Sequence, residues 1–106
     1  MRFRVLLTIR ARSNFDAAYL WYRKQSSEVA DRWYRGIRNA IRRLNQNPDR
    51  FPLADEDDTF PYPLRELLYG LGRKKTHRVL FVVRPNAVVI YAIRHVAQKR
   101  FDPWEG

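Results

Sequence analysis

The stretch that decides the fold is residues 76–95, THRVLFVVRPNAVVIYAIRH. Residues 76–84 and 87–95 are rich in β-branched and aromatic side chains, which favour strands. Between them lies Pro85-Asn86, a pair typical of a tight turn. The pattern therefore predicts two antiparallel strands. Because both runs are almost continuously apolar, we expect them to be central in a sheet and covered on at least one face.

Two more strands are predicted in the sequence that precedes this hairpin. Residues 64–69, LRELLY, form a short apolar run that ends at a glycine-containing turn with the basic tip Arg73-Lys74-Lys75. Residues 3–9, FRVLLTI, are rich in strand formers and predict an edge or near-edge strand. The last three strands form an antiparallel meander.

Between the first strand and the meander, apolar residues recur with helical periodicity. Residues 14–24 predict a short amphipathic helix capped by Ser13 or Asn14. A second helix is predicted from a cap at Ser26 or Ser27 to the segment before Pro48, with an apolar stripe opposite its arginines. The element order β-α-α-β-β-β predicts one α+β domain of 106 residues, in which a helical hairpin packs on a small, mainly antiparallel sheet.

Two segments carry no clear periodicity. Residues 48–63 contain four prolines and the acidic run Asp55-Glu56-Asp57-Asp58, which is either a solvated loop or a segment folded against the basic surface. In the tail after residue 95, Phe101 and Trp104 either pack on the sheet or anchor a partner.

Charge is the strongest compositional feature. The 21 Lys and Arg residues exceed the 11 Asp and Glu residues by 10, and 17 of the 21 are arginines. Guanidinium groups bind phosphates and carboxylates in a bidentate manner, so this surface suits a polyanion or an acidic protein.

Several classes of site are disfavoured. The chain has no cysteine, which excludes disulfides and Cys-based zinc sites, and its two histidines, His77 and His95, have no metal-ligand spacing. We therefore expect no metal and no cofactor. No apolar run is long enough for a membrane span or a signal peptide, so we expect no membrane contact and a cytoplasmic location.

The stretch from Pro63 onward, PLRELLYGLGRKKTHRVLFVVRPNAVVIYAIRHVAQKR, resembles the RelE/ParE toxin superfamily, and AIRRLNQNPDRF resembles the end of its second helix. The resemblance implies the toxin of a type II toxin–antitoxin pair, of the kind also called a plasmid stabilisation protein, neutralised by a small acidic antitoxin. RelE-like members cut mRNA on the ribosome, whereas ParE-like members bind and poison DNA gyrase. Both activities are compatible with the residues, and a different role or an inactive copy is a third reading.

RNA cleavage without a metal needs a proton acceptor, a cation for the phosphate and a proton donor. The resemblance places Arg78 at a phosphate-stabilising position and Arg65 near a position where RelE has a lysine. Leu67 and Gln98 fall at or near further RelE positions whose charge they lack, and the RelE tail tyrosine has no secure counterpart. His95, whose ordinary pKa of ~6.5 suits acid–base catalysis, could complete the set.

The leading expectation is thus a ribosome-dependent endoribonuclease in which Arg65, Arg78 and His95 meet on the helix-free face of the sheet. The expected RNA-binding residues are Arg73, Lys74, Lys75, Arg94, Lys99 and Arg100. Three of these assignments have a structural alternative: His95 as a hydrogen-bonded residue at a strand end, Arg78 paired with Glu66, and the turn cations Arg73, Lys74 and Lys75 as a solvated loop. The departures from RelE favour the alternative function, inhibition of gyrase without catalysis.

Overall fold

The computed structural model describes residues 2–98. Its regular elements are β1 (Arg4–Leu7), α1 (Ile9–Gln25), α2 (Ser27–Arg42), β2 (Arg65–Tyr69), β3 (His77–Val83) and β4 (Ala87–His95). Short 3-10 turns occupy Arg43–Asn45, Pro48–Arg50 and Asp55–Thr59. The predicted order of strands and helices is confirmed. Within the described residues, no helix combines the length and apolarity needed to cross a bilayer.

The four strands form one sheet in the order β1-β4-β3-β2. The meander β2-β3-β4 is antiparallel, and β1 lies at the edge beside β4, to which it is parallel. The strands predicted to be central, β3 and β4, are central. The parallel contact follows from the intervening helices, because a chain that leaves β1 must cross over before it can pair with β4 in the same direction.

The first helix begins earlier than the predicted cap at Ser13 or Asn14. Thr8 follows β1 directly, and its Oγ1 accepts a hydrogen bond from the Ala11 amide at 3.1 Å. The Thr8 hydroxyl also donates to the Tyr91 carbonyl oxygen at 3.2 Å, which ties the cap to β4. The break between the helices is a single residue, Ser26, which caps α2 through the Val29 amide as predicted.

The two helices cover one face of the sheet and form the main core with it. Trp33, Ile37 and Ile41 of α2 are buried against this face, as the apolar stripe of that helix predicts. The sheet residues in this cluster are Val79, Phe81, Val88, Ile90 and Ile93. Gly36 allows the close approach of β2, because a Cβ at this position would lie 1.8 Å from the Tyr69 hydroxyl oxygen.

The opposite face of the sheet is not bare, contrary to expectation. The segment between α2 and β2 folds over it, and a second cluster of buried residues forms from Ala54, Leu64, Leu80, Val82 and Ala92. Residues Leu53 and Arg65 form an isolated antiparallel bridge that holds the segment to β2. The proline-rich loop is therefore a cover for the sheet.

A β-bulge divides the central hairpin into two halves. Phe81 pairs with Ile90 but Leu80 pairs with Ala92, so Tyr91 is an extra residue in β4. Side chains alternate between faces along a strand, and one extra residue exchanges the faces for everything beyond it. Accordingly Ile90 and Ile93, which differ in parity, both face the helices, while Tyr91 packs with Ala92 on the other face.

Candidate functional site

The register of the strands separates Arg78 from the other two residues expected to form a catalytic cluster. Arg78 pairs in register with Leu68 and Arg94, whereas His95 pairs with His77. Arg65 pairs with Phe81, whose side chain belongs to the helix-side core. Strand alternation thus directs Arg65 and His95 to the helix side and Arg78 to the opposite face. The expectation that Arg65, Arg78 and His95 meet on the helix-free face is wrong.

Arg78 is the centre of an ion cluster on the face away from the helices. Its Nη1 and Nη2 donate to the two carboxylate oxygens of Glu56 at 2.9 and 2.6 Å, and its Nε donates to Glu66. The Glu56 side chain is 1% exposed and the Arg78 side chain 14%. The hydrogen bonds that Arg78 donates to Glu56, and to a smaller extent the one to Glu66, raise the pKa of Arg78 above its ordinary value.

This cluster decides two alternatives that the sequence leaves open. The pairing of Arg78 with Glu66 is confirmed, and it is joined by a stronger bidentate pair with Glu56. The acidic run is folded against a basic residue, because Asp55–Thr59 forms a 3-10 turn that buries Glu56 under the sheet. The guanidinium that the resemblance expects to bind a phosphate is therefore already bound by two carboxylates.

Arg65 has a backbone partner. Its Nη1 donates to the Phe51 carbonyl oxygen at 2.6 Å, and the side chain is half-buried. This bond joins the start of β2 to the segment that follows α2. In this position Arg65 holds two parts of the chain together.

Four of the expected RNA-binding residues lie within the described residues, at the sheet end where β2 and β4 finish and β3 begins. Arg73, Lys74 and Lys75 are exposed in the turn between β2 and β3, which Gly70 allows to close because a Cβ there would lie 2.0 Å from the Lys74 carbonyl oxygen. Arg94 is half-buried beside Arg78 on the helix-free face. Lys99 and Arg100 lie outside the described residues, as do Phe101 and Trp104.

A histidine pair lies on the helix side of the same sheet end. The rings of His77 and His95 have centroids 5.3 Å apart, and His77 also contacts the Trp33 ring at 5.2 Å. Burial lowers the pKa of His77 to about 4, with a further decrease from the charge of His95. His77 is thus neutral at pH 7. The sequence places both histidines near strand ends, but their pairing depends on the bulge.

A groove of about 450 Å³ opens beside this pair, between α1 and the end of β4. Its apolar wall includes Trp21, which is 58% exposed, and its polar residues are Asn14, His77, His95 and Gln98. Asn14 Oδ1 accepts from the Ile93 amide, Gln98 Oε1 from the His95 amide, and His95 Nδ1 from the Ala97 amide, at 2.8 to 3.1 Å. Because the acceptor atoms are used by the backbone, these side chains offer N–H donors to a ligand.

Within residues 2–98, no group of three or more His, Cys, Asp or Glu side chains is arranged to hold a metal ion. The hydrogen bond to His95 Nδ1 also places the neutral ring's proton on Nε2, so a metal could bind Nε2 only if this bond were lost.

Comparison with known proteins assigns the family. The model of a family described as the ParE toxin of the type II toxin–antitoxin system parDE matches residues 5–100. The chain belongs to the ParE toxin family.

A solved structure supports the fold of this ParE-family chain. It is described as the chromosomal ParDE toxin–antitoxin system from P. aeruginosa, and it matches with a TM-score of 0.70 at 20% sequence identity. The match covers 90% of this chain and 97% of the other. A search of curated proteins found no match. The fold of this chain is thus shared with a chain of that structure.

Proposed function

We propose that this ParE-family toxin inhibits DNA gyrase by binding to it, without cutting RNA, and that an acidic antitoxin neutralises it. The main observation in support of this proposal is the position of Arg78. Its guanidinium is held by two carboxylates on the face of the sheet opposite His95. Membership of the ParE family favours the same target, because inhibition of gyrase is the activity associated with ParE-like toxins.

The geometry gives little support to RNA cleavage by the expected residues. Transfer of the 2′-OH to phosphate requires the base and the phosphate-binding cation to lie within hydrogen-bond reach of one phosphodiester. The sheet lies between His95 and Arg78, and a phosphate at Arg78 would have to displace Glu56 and Glu66. A toxin that acts by binding needs no such cluster.

The groove next to Trp21 is our candidate site for the antitoxin. It joins an exposed aromatic wall to N–H donors from Asn14, Gln98 and His95, on a chain of net charge +10. An apolar segment that carries carboxylates would fill the wall and accept these hydrogen bonds. An acidic partner would also associate rapidly with a basic toxin.

Two assays run in parallel test the mode of action. Purified toxin is titrated into a supercoiling reaction with purified gyrase and, separately, into translating ribosomes with a defined mRNA. We expect inhibition of supercoiling and an intact mRNA. The variant His95→Gln should inhibit gyrase as the parent does. Cleaved mRNA that becomes intact with His95→Gln, together with unaffected gyrase, would overturn the proposal.

The antitoxin site is tested by measuring the affinity of the toxin for the small acidic protein that neutralises it. Trp21→Ala should weaken binding by at least tenfold, because an exposed aromatic anchor contributes more than most interface residues. Tyr62→Ala is the matched control, since Tyr62 is 44% exposed and lies outside the groove. Equal losses for the two variants would contradict the assignment.

A further inference from the structure

The outer face of α2 is a continuous stripe of arginines. The apolar side chains of this helix point into the core, and the opposite side carries four exposed arginines, Arg32, Arg35, Arg38 and Arg42. Arg43, exposed in the 3-10 turn that follows directly, continues the row to five. At 100° per residue, they fall within one side of the helix, away from Trp33, Ile37 and Ile41. We call these five residues the arginine stripe.

The described residues place few acids near the stripe. Asp16 of α1 lines one pocket with Arg38 and Arg42, and the other acids belong to α2 itself. The ion pairs of Arg78 with Glu56 and Glu66 involve no member of the stripe. The acidic residues of α2, Glu28 and Asp31, lie at its N-terminal end, and Asp31 accepts a hydrogen bond from the Tyr19 hydroxyl. Arg35, Arg38 and Arg42 follow at spacings of three and four residues, where like charges repel. Glu28 and Asp31 precede Arg32 and Arg35 by four residues and can offset their charge. Arg38, Arg42 and Arg43 have no acid at that spacing, so this end of the stripe is available to an external anion.

The dimensions of the stripe match a phosphate backbone. With a rise of 1.5 Å per residue, Arg32 and Arg43 are about 16 Å apart along the axis. One strand of duplex DNA presents a phosphate every 3.4 Å along its axis, so the stripe spans roughly five phosphates. Guanidinium groups bind phosphate oxygens in a bidentate manner, and the chain uses arginine at every one of these positions.

The composition of this face favours a duplex over a single strand. Proteins that bind single strands stack bases on exposed aromatic rings. In α2 the aromatic residues are Trp33, which is buried, and Tyr34, which packs on the core beneath the Arg38 guanidinium at 5.4 Å. The stripe therefore offers cations to phosphates and no surface to bases.

We propose that the arginine stripe of α2 binds the phosphate backbone of double-stranded DNA. The binding is independent of base sequence, since the contacts are to phosphates. This property goes beyond the proposed inhibition of gyrase and does not depend on it, because it belongs to the isolated chain. It would place the toxin on the same DNA as its target enzyme.

The test measures binding of the full chain to a labelled 30-base-pair DNA duplex by fluorescence anisotropy at several salt concentrations. The triple variant Arg35→Gln/Arg38→Gln/Arg42→Gln removes three stripe charges. The rival variant Arg73→Gln/Lys74→Gln/Lys75→Gln removes three charges from the turn between β2 and β3. Both variants lower the net charge equally, so a difference between them reports position.

We expect the stripe variant to reduce the slope of log K against log salt by about 2 to 3, at about 0.9 per lost phosphate contact. At 0.1 M salt the affinity of the stripe variant for the duplex should fall on the order of 100-fold, whereas that of the turn variant should fall by less than about tenfold. The variant Arg35→Lys/Arg38→Lys/Arg42→Lys keeps the charge, so it should retain the slope and lose only part of the affinity. If the glutamine variant fails to fold, this lysine variant takes its place in the comparison with the turn variant.

Three outcomes would overturn the proposal. The first is an equal loss for the stripe and turn variants. The second is tighter binding of single-stranded DNA, or of duplex RNA of the same sequence, than of the DNA duplex. The third is tighter binding of an acidic peptide than of the duplex at equal salt, which would make the stripe a protein-binding surface.

Discussion

Replacement of Glu56 by glutamine should destabilise the toxin more than the removal of any other single carboxylate. The substitution keeps the size of the side chain but removes the charge that faces the Arg78 guanidinium through two hydrogen bonds. Glu56 is 1% exposed and Arg78 14%, so water cannot replace the lost partner well. Removal of one member of a buried pair typically costs about 3 to 5 kcal/mol.

Glu66 remains beside Arg78 and offsets part of this loss, so we expect about 3 kcal/mol for Glu56→Gln. The midpoint of thermal unfolding should fall by more than about 10 °C in a domain of this size. Glu66→Gln should cost less, about 1 kcal/mol, because its side chain is 19% exposed and makes a single bond to Arg78.

The assay is urea unfolding followed by circular dichroism, with Asp49→Asn as the control because Asp49 is exposed in a 3-10 turn of the same segment. The double variant Glu56→Leu/Arg78→Met should be more stable than the sum of its single variants predicts, because neither charge is left buried alone. A loss for Glu56→Gln within about 0.5 kcal/mol of the control would refute the reasoning, since ordinary surface substitutions fall in that range.

Three further predictions concern local structure. The pKa of His77 is lowered to about 4 in the folded protein from about 6.5 when unfolded. The contribution of neutral His77 to the free energy of unfolding should therefore be fully present above pH 6.5 and fall by up to about 3 kcal/mol as the pH decreases to 4. In unfolding curves, His77→Gln should abolish this pH dependence and His95→Gln should not. Gly36→Ala should destabilise by about 1 to 3 kcal/mol in spite of its better helix propensity, with partial rescue by Tyr69→Phe, and a stabilised Gly36→Ala would contradict the packing described. Thr8→Ala should cost about 1 kcal/mol while Thr8→Ser is nearly neutral, and equal losses would exclude a cap through Oγ1.

Much of the fold follows from periodicity that the sequence displays directly. The stripe of Trp33, Ile37 and Ile41 predicts both the helix and the side that it buries. Pro85-Asn86 predicts the turn between β3 and β4, and the start of α2 follows from the cap at Ser26. These features depend on residues close together in the chain, and such signals are local.

The candidate site could not be predicted in the same way. The parity of His95 depends on the extra residue at Tyr91, and nothing in AVVIYAIRH distinguishes a bulged strand from a regular one. The bond between Arg78 and Glu56 joins residues 22 positions apart through a loop whose path the sequence does not specify. Both features are tertiary, and together they separate the residues that a likeness to RelE would combine.

The most direct test of how this toxin acts is a titration of purified gyrase with the full chain, read as supercoiling of relaxed plasmid. The account predicts dose-dependent loss of supercoiling at the same toxin concentrations for the parent and for His95→Gln. Full gyrase activity at saturating toxin, from a preparation that still arrests growth in cells, would contradict it.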